Sequence, residues 1–212
     1  MTAEISKTLD RGLQLLSLLA DSGGRMTITE AAAALGANRT AVYRLAATLE
    51  RHGLLRRTPD GRISLGFGAL RLAGAVHPLL RQAALPVLRE LAEEVGATAH
   101  LTVADSGEAL AVAVVEPTWT AYHVAYRVGS RHPLERGAAG RAILAAREHP
   151  ERRDYVASVG ELQAGAHGVA APVLGAIGVE ASVGVVALGE FDPAKIGPSV
   201  VAAAGRVAQL LS

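Results

Sequence analysis

Polar and basic side chains cluster at the start of one predicted helix. Asn38 can cap this helix, which we predict over residues 39–52. Its first turns carry four side chains suited to reading DNA: Arg39, Thr40, Tyr43 and Arg44. An arginine can donate two hydrogen bonds to a guanine edge, a threonine can contact a base edge or a thymine methyl group, and a tyrosine can reach a phosphate. The pattern indicates a recognition helix in the major groove.

A basic hairpin is predicted after this helix. Residues 54–58 and 62–65 alternate as two short strands around the turn Pro59-Asp60-Gly61. Arg56, Arg57 and Arg62 lie on or beside the hairpin, where a wing would contact phosphates. Thr29, in the short helix that precedes the recognition helix, is a further candidate DNA contact. The alternative is a small helical domain whose arginines only keep it in solution.

A long apolar helix is predicted before this arrangement. Ser6 can cap a helix that runs to about residue 21. Its face is unusually wide, because Leu9, Leu13, Leu16 and Ala20 are joined by Leu15, Leu18 and Leu19. One small core cannot cover so much apolar surface, so we expect part of this helix to pack against another subunit. Thr27 or Thr29 can then cap a short helix, with Glu30 near the position that a capping box needs.

Composition and charge distribution narrow the class of protein. The 212 residues are 50% hydrophobic and 19% charged, which favours a folded chain of two modest domains. The net charge is +1, but residues 1–66 carry nine Lys and Arg against six Asp and Glu. That excess suggests a surface for a polyanion. Cysteine is absent and no export signal is visible, so we expect a cytoplasmic protein without disulfides or thiolate metal sites.

The second half of the chain alternates predicted helices and strands. A helix over 79–95, which Pro86 should kink or restart, ends at Gly96. Strands are predicted over 98–104, 109–115, 122–128, 168–174 and 181–188, with helices over 138–147 and 196–211. This order predicts an α+β domain with antiparallel strands.

A small-molecule site is predicted in this half. The turn from Gly137 to Arg141 precedes a helix, so its backbone N–H groups can bind an anion or a carbonyl. His123, Arg127 and His167 could anchor a carboxylate, although each is also compatible with an ordinary surface role. The histidines lack metal-ligand spacing and no Ser, His and Asp set stands out. We therefore expect no catalytic residue, metal or cofactor, and not an enzyme.

Five stretches of the chain resemble the IclR family of bacterial transcriptional regulators. They are TLDRGLQLL (8–16), MTITEAAAALG (26–36), TAVYRLAATLERHGL (40–54), PLERGAAGRAILA (133–145) and GAHGVAAPV (165–173). The resemblance implies a winged helix-turn-helix domain over 1–66, a linker helix region over 67–96 and a GAF-like effector-binding domain over 97–212. It also implies a dimer or a dimer of dimers that binds double-stranded operator DNA.

The chain departs from the family pattern in its effector domain. Residues 145–155 are shorter than the family pattern by about one helical hairpin, which removes or remodels a wall of the usual pocket. Gly168 stands where a polar residue, commonly cysteine, is usual, and Ser158 stands at an acidic position. With Ala138, Ala139 and the residues named above, these positions form the predicted effector site. Fewer polar groups suggest a larger or more apolar effector than a simple small acid.

These observations predict a ligand-responsive regulator without a membrane partner. It would bind a pseudo-palindromic operator as a dimer or tetramer, and a small organic effector of acid, aromatic or lactone type would change its DNA affinity. The alternative is a GAF-like binding or catalytic protein whose N-terminal module serves only assembly.

Overall fold

The computed structural model of the chain describes residues 5–23, 25–75, 78–120, 126–151, 153–175, 178–189 and 191–211. It divides into two compact units, residues 1–76 and residues 77–212. In the described residues, no helix is both long enough and apolar enough to cross a membrane.

The first unit has the predicted order of helix, helix, turn, helix and hairpin. Its elements are α1 (Lys7–Asp21), α2 (Ile28–Ala34), α3 (Arg39–Arg51), β1 (Leu55–Arg57), β2 (Ile63–Leu65) and α4 (Gly68–Ala75). Ser6 lies at the start of α1, but its side chain makes no capping hydrogen bond, so the predicted cap there is wrong. The predicted caps of α2 and α3 are confirmed, with Thr27 rather than Thr29 as the cap of α2. Thr27 and Glu30 form a reciprocal capping box on α2, and Asn38 Oδ1 accepts a hydrogen bond of 2.7 Å from the backbone N–H of Ala41 at the start of α3. The strands β1 and β2 pair antiparallel.

The wide apolar face of α1 is divided between the core and the surface. Leu15 and Leu19 are fully buried and pack with Val42 of α3 and Ile63 of β2. On the same helix, the core does not cover Leu9, which is 63% exposed, or Leu13, which is 53% exposed. The prediction that one core cannot cover this helix is confirmed.

The second unit is an α+β domain built on a six-stranded antiparallel sheet. Its elements are α5 (Pro78–Val95), β3 (Thr98–Asp105), β4 (Glu108–Val115), β5 (Arg131–Pro133), α6 (Gly137–Glu148), β6 (Val156–Val159), β7 (Ala166–Val173), β8 (Ala181–Leu188) and α7 (Pro193–Leu211). The strand order is β5-β4-β3-β8-β7-β6. The sequence analysis did not predict β5 and β6, which are three and four residues long.

Helices cover both faces of this sheet. Val169 of β7 belongs to the main core with residues of α5 and α7, whereas the next residue, Ala170, packs with Ala138 and Ala142 of α6. Neighbouring residues of a strand point to opposite faces, so α6 lies on the face opposite α5 and α7. The sheet therefore separates α6 from α5 and α7.

The helix α5 and the region after β4 agree only in part with the sequence predictions. Pro86 lies inside one continuous helix, α5, so of the two predicted outcomes the restart is wrong and the kink stays a prediction. The burial of Leu80, Ala84 and Leu88 on both sides of the proline stabilises the continuous helix. Gly96 ends the helix with φ of 67°, as predicted. Most of the strand predicted over 122–128 lies outside the described residues, and residues 126–128 are not in a strand.

The residues predicted as a linker divide between the two units. The helix α4 belongs to the first unit, whereas α5 belongs to the second and buries its apolar face in the main core there. The boundaries of the proposed linker region, 67–96, stay a prediction.

Candidate functional site

The helix α3 has one buried face and one open polar face. Val42 and Ala46 are fully buried in the core of the first unit. The four side chains predicted to read DNA are all exposed at the start of the helix: Arg39, Thr40, Tyr43 and Arg44. The Asn38 cap fixes where the helix begins, and helical spacing then turns these side chains away from the core. This arrangement can present donors and an aromatic ring to a groove.

Arg57 of the wing contacts α3. Its guanidinium carbon lies 4.5 Å from the centre of the Tyr43 ring, a cation–π distance. Its Nε also donates a hydrogen bond of 3.1 Å to Glu50 Oε2, near the end of the same helix. Two contacts of this one side chain therefore join β1 to α3, in addition to the packing of Leu55 in the shared core.

The other wing arginines also have partners within the first unit. Arg56 Nε donates to Ser64 Oγ at 3.1 Å, and its guanidinium lies 5.4 Å from the Phe67 ring. Arg62 forms ion pairs of 3.6 Å with Glu30 and with Asp60. Such surface pairs are weak and yield readily to a phosphate. The predicted phosphate contacts stay a prediction.

Two cations missed by the sequence analysis flank the recognition helix. Lys7 and Arg11 of α1 line a groove with Arg44 and Thr48 of α3. Lys7 and Arg11 are four residues apart and so share a helix face. This spacing could have predicted them, but only the apolar residues of α1 were considered. Thr29 is exposed on α2. The basic surface thus extends from the start of α3 to α1.

In the second unit, a pocket of about 350 Å³ brings together five of the predicted effector residues. These are Gly137, Ala138, Ala139, Ser158 and Gly168. Arg127 and His167 are not among its lining residues: Arg127 is exposed, and the His167 ring lies 5.9 Å from that of Phe191. His167 precedes Gly168 on β7 and so points to the other face of the sheet. His123 lies outside the described residues.

The sequence analysis missed most of the polar side chains around this pocket. The main ones are His100, Tyr126, His132, Arg136 and Glu161. They come from a central strand, a loop, a three-residue edge strand and the β6–β7 connection, so no local motif joins them. Long-range strand pairing alone brings them together.

Close backbone packing sets the start of α6 in the pocket. Gly137 has φ of 77°, which favours glycine, and a Cβ at Gly140 would lie 2.4 Å from the carbonyl oxygen of Leu134. On the other side, the buried Ser182 hydroxyl donates to the Ala139 carbonyl at 3.0 Å. The two glycines allow the helix to begin tightly against the chain before it.

The first N–H groups of α6 bind polar side chains of the same chain. The Gly137 N–H donates to Glu161 Oε2 at 2.7 Å, and the Ala138 N–H donates to Ser158 Oγ at 2.9 Å. The other oxygen of Glu161 accepts from Arg141 Nη1 at 2.8 Å. The predicted anion-binding turn therefore holds a carboxylate, which belongs to the protein itself.

Two buried histidines lie in the wall of the pocket. Burial lowers the pKa of His100 to about 3, with the charge of His132 as a smaller cause, so His100 is neutral near pH 7. His100 Nδ1 lies 3.1 Å from Thr102 Oγ1, and its ring packs edge-on to Tyr126 at 5.0 Å. Burial also raises the pKa of Tyr126.

His132 has one satisfied nitrogen and one free nitrogen. Its Nδ1 lies 3.0 Å from the carbonyl oxygen of Pro133, which requires Nδ1 to carry the proton. Its Nε2 is buried and has no hydrogen-bond partner among the described residues. In the neutral ring Nε2 is then a buried acceptor without a donor. Within the described parts of the chain, no three His, Cys, Asp or Glu side chains are grouped to hold a metal ion.

Family models match both units of the chain. The IclR helix-turn-helix domain matches residues 8–59, and the bacterial transcriptional regulator IclR C-terminal domain matches residues 75–172. The chain belongs to the IclR family. The IclR-family domains and relatives that it matches are transcriptional regulators, not enzymes.

Several curated IclR-family proteins resemble the chain over part of their length. The regulator KipR of Bacillus subtilis is 33% identical over 153 residues, which are 71% of this chain and 60% of KipR. The transcriptional repressor IclR of Escherichia coli is 29% identical over 143 residues, which are 66% of this chain and 52% of that repressor. The chain thus aligns with little more than half the length of these relatives.

Solved IclR-family structures share the fold over nearly the whole chain. A regulator from Alicyclobacillus acidocaldarius has a TM-score of 0.80 at 23% identity, covering 99% of this chain and 100% of that one. An IclR homolog from Microbacterium hydrocarbonoxydans, complexed with 4-hydroxybenzoate, has a TM-score of 0.82 at 21% identity, covering 97% and 99%. These matches confirm the predicted fold of helix-turn-helix and α+β domains.

Proposed function

We propose that this IclR-family protein is a ligand-responsive transcriptional regulator that binds a pseudo-palindromic operator as a dimer or tetramer. The observation that carries the proposal is the open polar face at the start of α3, on a helix whose other face is fixed in the core. A recognition helix needs this division, because its polar residues must reach base edges while the domain holds the helix rigid. A module that served only assembly would have no need of it.

The proposed DNA contacts divide into two kinds. Arg39, Thr40, Tyr43 and Arg44 would contact bases or the adjacent backbone from the major groove. The wing arginines Arg56, Arg57 and Arg62, with Thr29 on α2, would contact phosphates and fix the position of the domain. The contact of Arg57 with the Tyr43 ring supports this role, since it places a wing guanidinium beside the exposed face of α3.

Exposed apolar side chains support self-association. Leu9 and Leu13 on α1 are more than half exposed, and so are three side chains at or near α4: Phe67, Leu70 and Leu72. Apolar surface of this kind is typical of protein interfaces. A two-fold dimer would present two recognition helices to two half-sites, which is why we propose a pseudo-palindromic operator.

The effector proposed for the second unit is a small organic acid, aromatic compound or lactone. The pocket volume of about 350 Å³ is within the range of small-ligand sites. A structural neighbour binds 4-hydroxybenzoate, which supports an aromatic acid as the first compound to test. Such a ligand changes DNA affinity only if it binds the two states of the regulator with different affinity.

Binding sites mapped across the genome by footprinting would supply the operator for the test. Organic acids, aromatic acids and lactones would then be screened by thermal shift, and each hit titrated against the operator complex. We expect at least one hit to change operator affinity severalfold. Gly168→Val should abolish that effect, because a side chain there would meet Ser158 Oγ at 3.1 Å and the Ala138 methyl group at 3.4 Å. Turnover of a hit without any effect on DNA binding would favour the catalytic alternative.

A further inference from the structure

A carboxylate of the protein occupies the anion-binding start of α6. One oxygen of Glu161 accepts from the Gly137 N–H at 2.7 Å, and the other accepts from Arg141 at 2.8 Å. The second helical N–H, that of Ala138, binds the Ser158 hydroxyl. Glu161 belongs to the connection between β6 and β7, 24 residues from Gly137. Its side chain is 30% exposed, so solvent and small solutes can reach it.

A buried group without a partner lies beside this carboxylate. His132 is 7% exposed, and its Nε2 has no partner among the described residues. The His132 ring is close to the helix start, since its Cε1 lies 3.7 Å from the position of a Cβ on Gly137. A buried polar atom without a hydrogen bond is costly, so this nitrogen points to a ligand that brings a donor.

We propose that Glu161 is an internal ligand of the pocket and that a carboxylate effector binds there by displacing it. The inference rests on the proposed function and adds the chemistry of the ligand. The displacing molecule carries a carboxylate for the Gly137 N–H and Arg141, together with a hydroxyl or N–H group that donates to His132 Nε2.

Competition with Glu161 gives the site its selectivity. A tethered group acts at a local concentration of about millimolar or more, so a simple monocarboxylate at lower concentration cannot replace it. A ligand that also donates a hydrogen bond to His132 gains binding affinity that a simple monocarboxylate lacks. Displacement transfers Arg141 from Glu161 to the ligand and frees Glu161 with the β6–β7 connection, which gives ligand binding a structural consequence.

The test removes the internal carboxylate and supplies a small one. Full-length wild type and Glu161→Ala are heated in increasing sodium acetate, with sodium chloride at matched ionic strength as the reference. We expect Glu161→Ala to unfold at a lower temperature in chloride and to recover in acetate with a saturable, millimolar dependence. The apparent affinity of wild type for acetate should be at least tenfold weaker than that of Glu161→Ala. Glu148→Ala, at the far end of the same helix, should behave like wild type.

A second readout reports on the site itself. In Glu161→Ala labelled with ¹⁵N-glycine, acetate should shift the Gly137 amide resonance, and the double variant with Arg141→Ala should lose most of the response. If Glu161→Ala does not fold, Glu161→Gln serves instead, because its amide oxygen can still accept from Gly137 while it competes less well with acetate.

Two results would overturn the proposal. One is an acetate effect equal in wild type and in the Glu161 variants, and the other is no acetate effect in any of them. No step involves DNA, so failure here leaves operator binding untouched, and a failure to bind an operator leaves this result standing.

Discussion

The guanidinium of Arg57 lies over the ring of Tyr43, with its carbon 4.5 Å from the ring centre. This contact joins the wing to the first turns of α3, and the hydrogen bond from Arg57 to Glu50 joins the wing to the end of the same helix. Arg57 thus adds two side-chain contacts to the apolar core that Leu55 and Ile63 of the wing share with Val42 of α3. A substitution at Arg57 should lower both the stability of the first unit and its affinity for DNA.

Arg57→Ala should lower the free energy of unfolding by about 1 kcal/mol, because exposed cation–π and ion-pair contacts contribute about that much together. It should also weaken binding to all duplexes alike and reduce the salt dependence of the affinity by about one unit of slope. Urea unfolding and salt titrations of operator and scrambled duplexes measure both effects. Arg57→Lys, which keeps the charge, should retain more of the salt slope. A loss confined to the operator would contradict a phosphate contact.

Arg39→Ala and Arg44→Ala should each cost about 1 to 3 kcal/mol at the operator if the side chain donates twice to a base. Both side chains are exposed at the start of α3, so neither change should reduce stability by more than about 0.5 kcal/mol. Titrations of operator and scrambled duplexes would show the loss on the operator alone.

Arg51→Ala is the matched control, since Arg51 is an exposed arginine in the last turn of the same helix. It should retain most operator affinity. If both variants at the helix start kept full affinity, the proposed orientation of α3 on DNA would be wrong.

Leu13→Glu should weaken self-association and lower operator affinity. Leu13 is 53% exposed on α1, so a charge there reaches the proposed interface without entering the core, whereas the half-buried Leu16 would disturb the core as well. Light scattering at micromolar concentration measures the oligomer. Gln14→Glu is the control, because Gln14 is exposed and lies about 100° around the helix axis from Leu13. It should assemble normally. An unchanged oligomer in Leu13→Glu would exclude this face from the interface.

Burial of His100 should make the protein less stable in acid. Its pKa is about 3 in the folded chain and about 6.5 when unfolded, so the unfolded state binds more protons between these values. The free energy of unfolding should therefore fall as the pH is lowered from 6.5 towards 3, with a slope of up to about 1.4 kcal/mol per pH unit from this residue. Urea unfolding at pH 7, 6 and 5 should show a shallower dependence in His100→Asn. Equal slopes would contradict the buried, neutral assignment.

Local signals predicted the first unit well. The Asn38 cap, the Thr27 and Glu30 capping box and the apolar spacing of α3 all act within one or two helical turns, so the sequence contains them directly. The continuous α5 was harder, because tertiary packing around Pro86 overrides the local preference of proline.

The pocket was predictable only in part. The turn at Gly137 has a local signature, and it does begin a helix whose first N–H binds a carboxylate. That the carboxylate belongs to Glu161 depends on how the β6–β7 connection folds back, and no spacing in the sequence indicates it. His132 is likewise brought in by a three-residue edge strand too short to predict from alternation.

If α3 reads DNA sequence, the chain must distinguish its operator from other duplexes. The direct measurement is the affinity of the full chain for a mapped operator and for a scrambled duplex of the same length and composition, each at two salt concentrations. We predict operator binding that is at least about a thousandfold tighter near physiological salt, with a steep salt dependence on both duplexes. Equal affinity for the two duplexes at both salt concentrations would contradict sequence reading and would favour an N-terminal module that serves assembly.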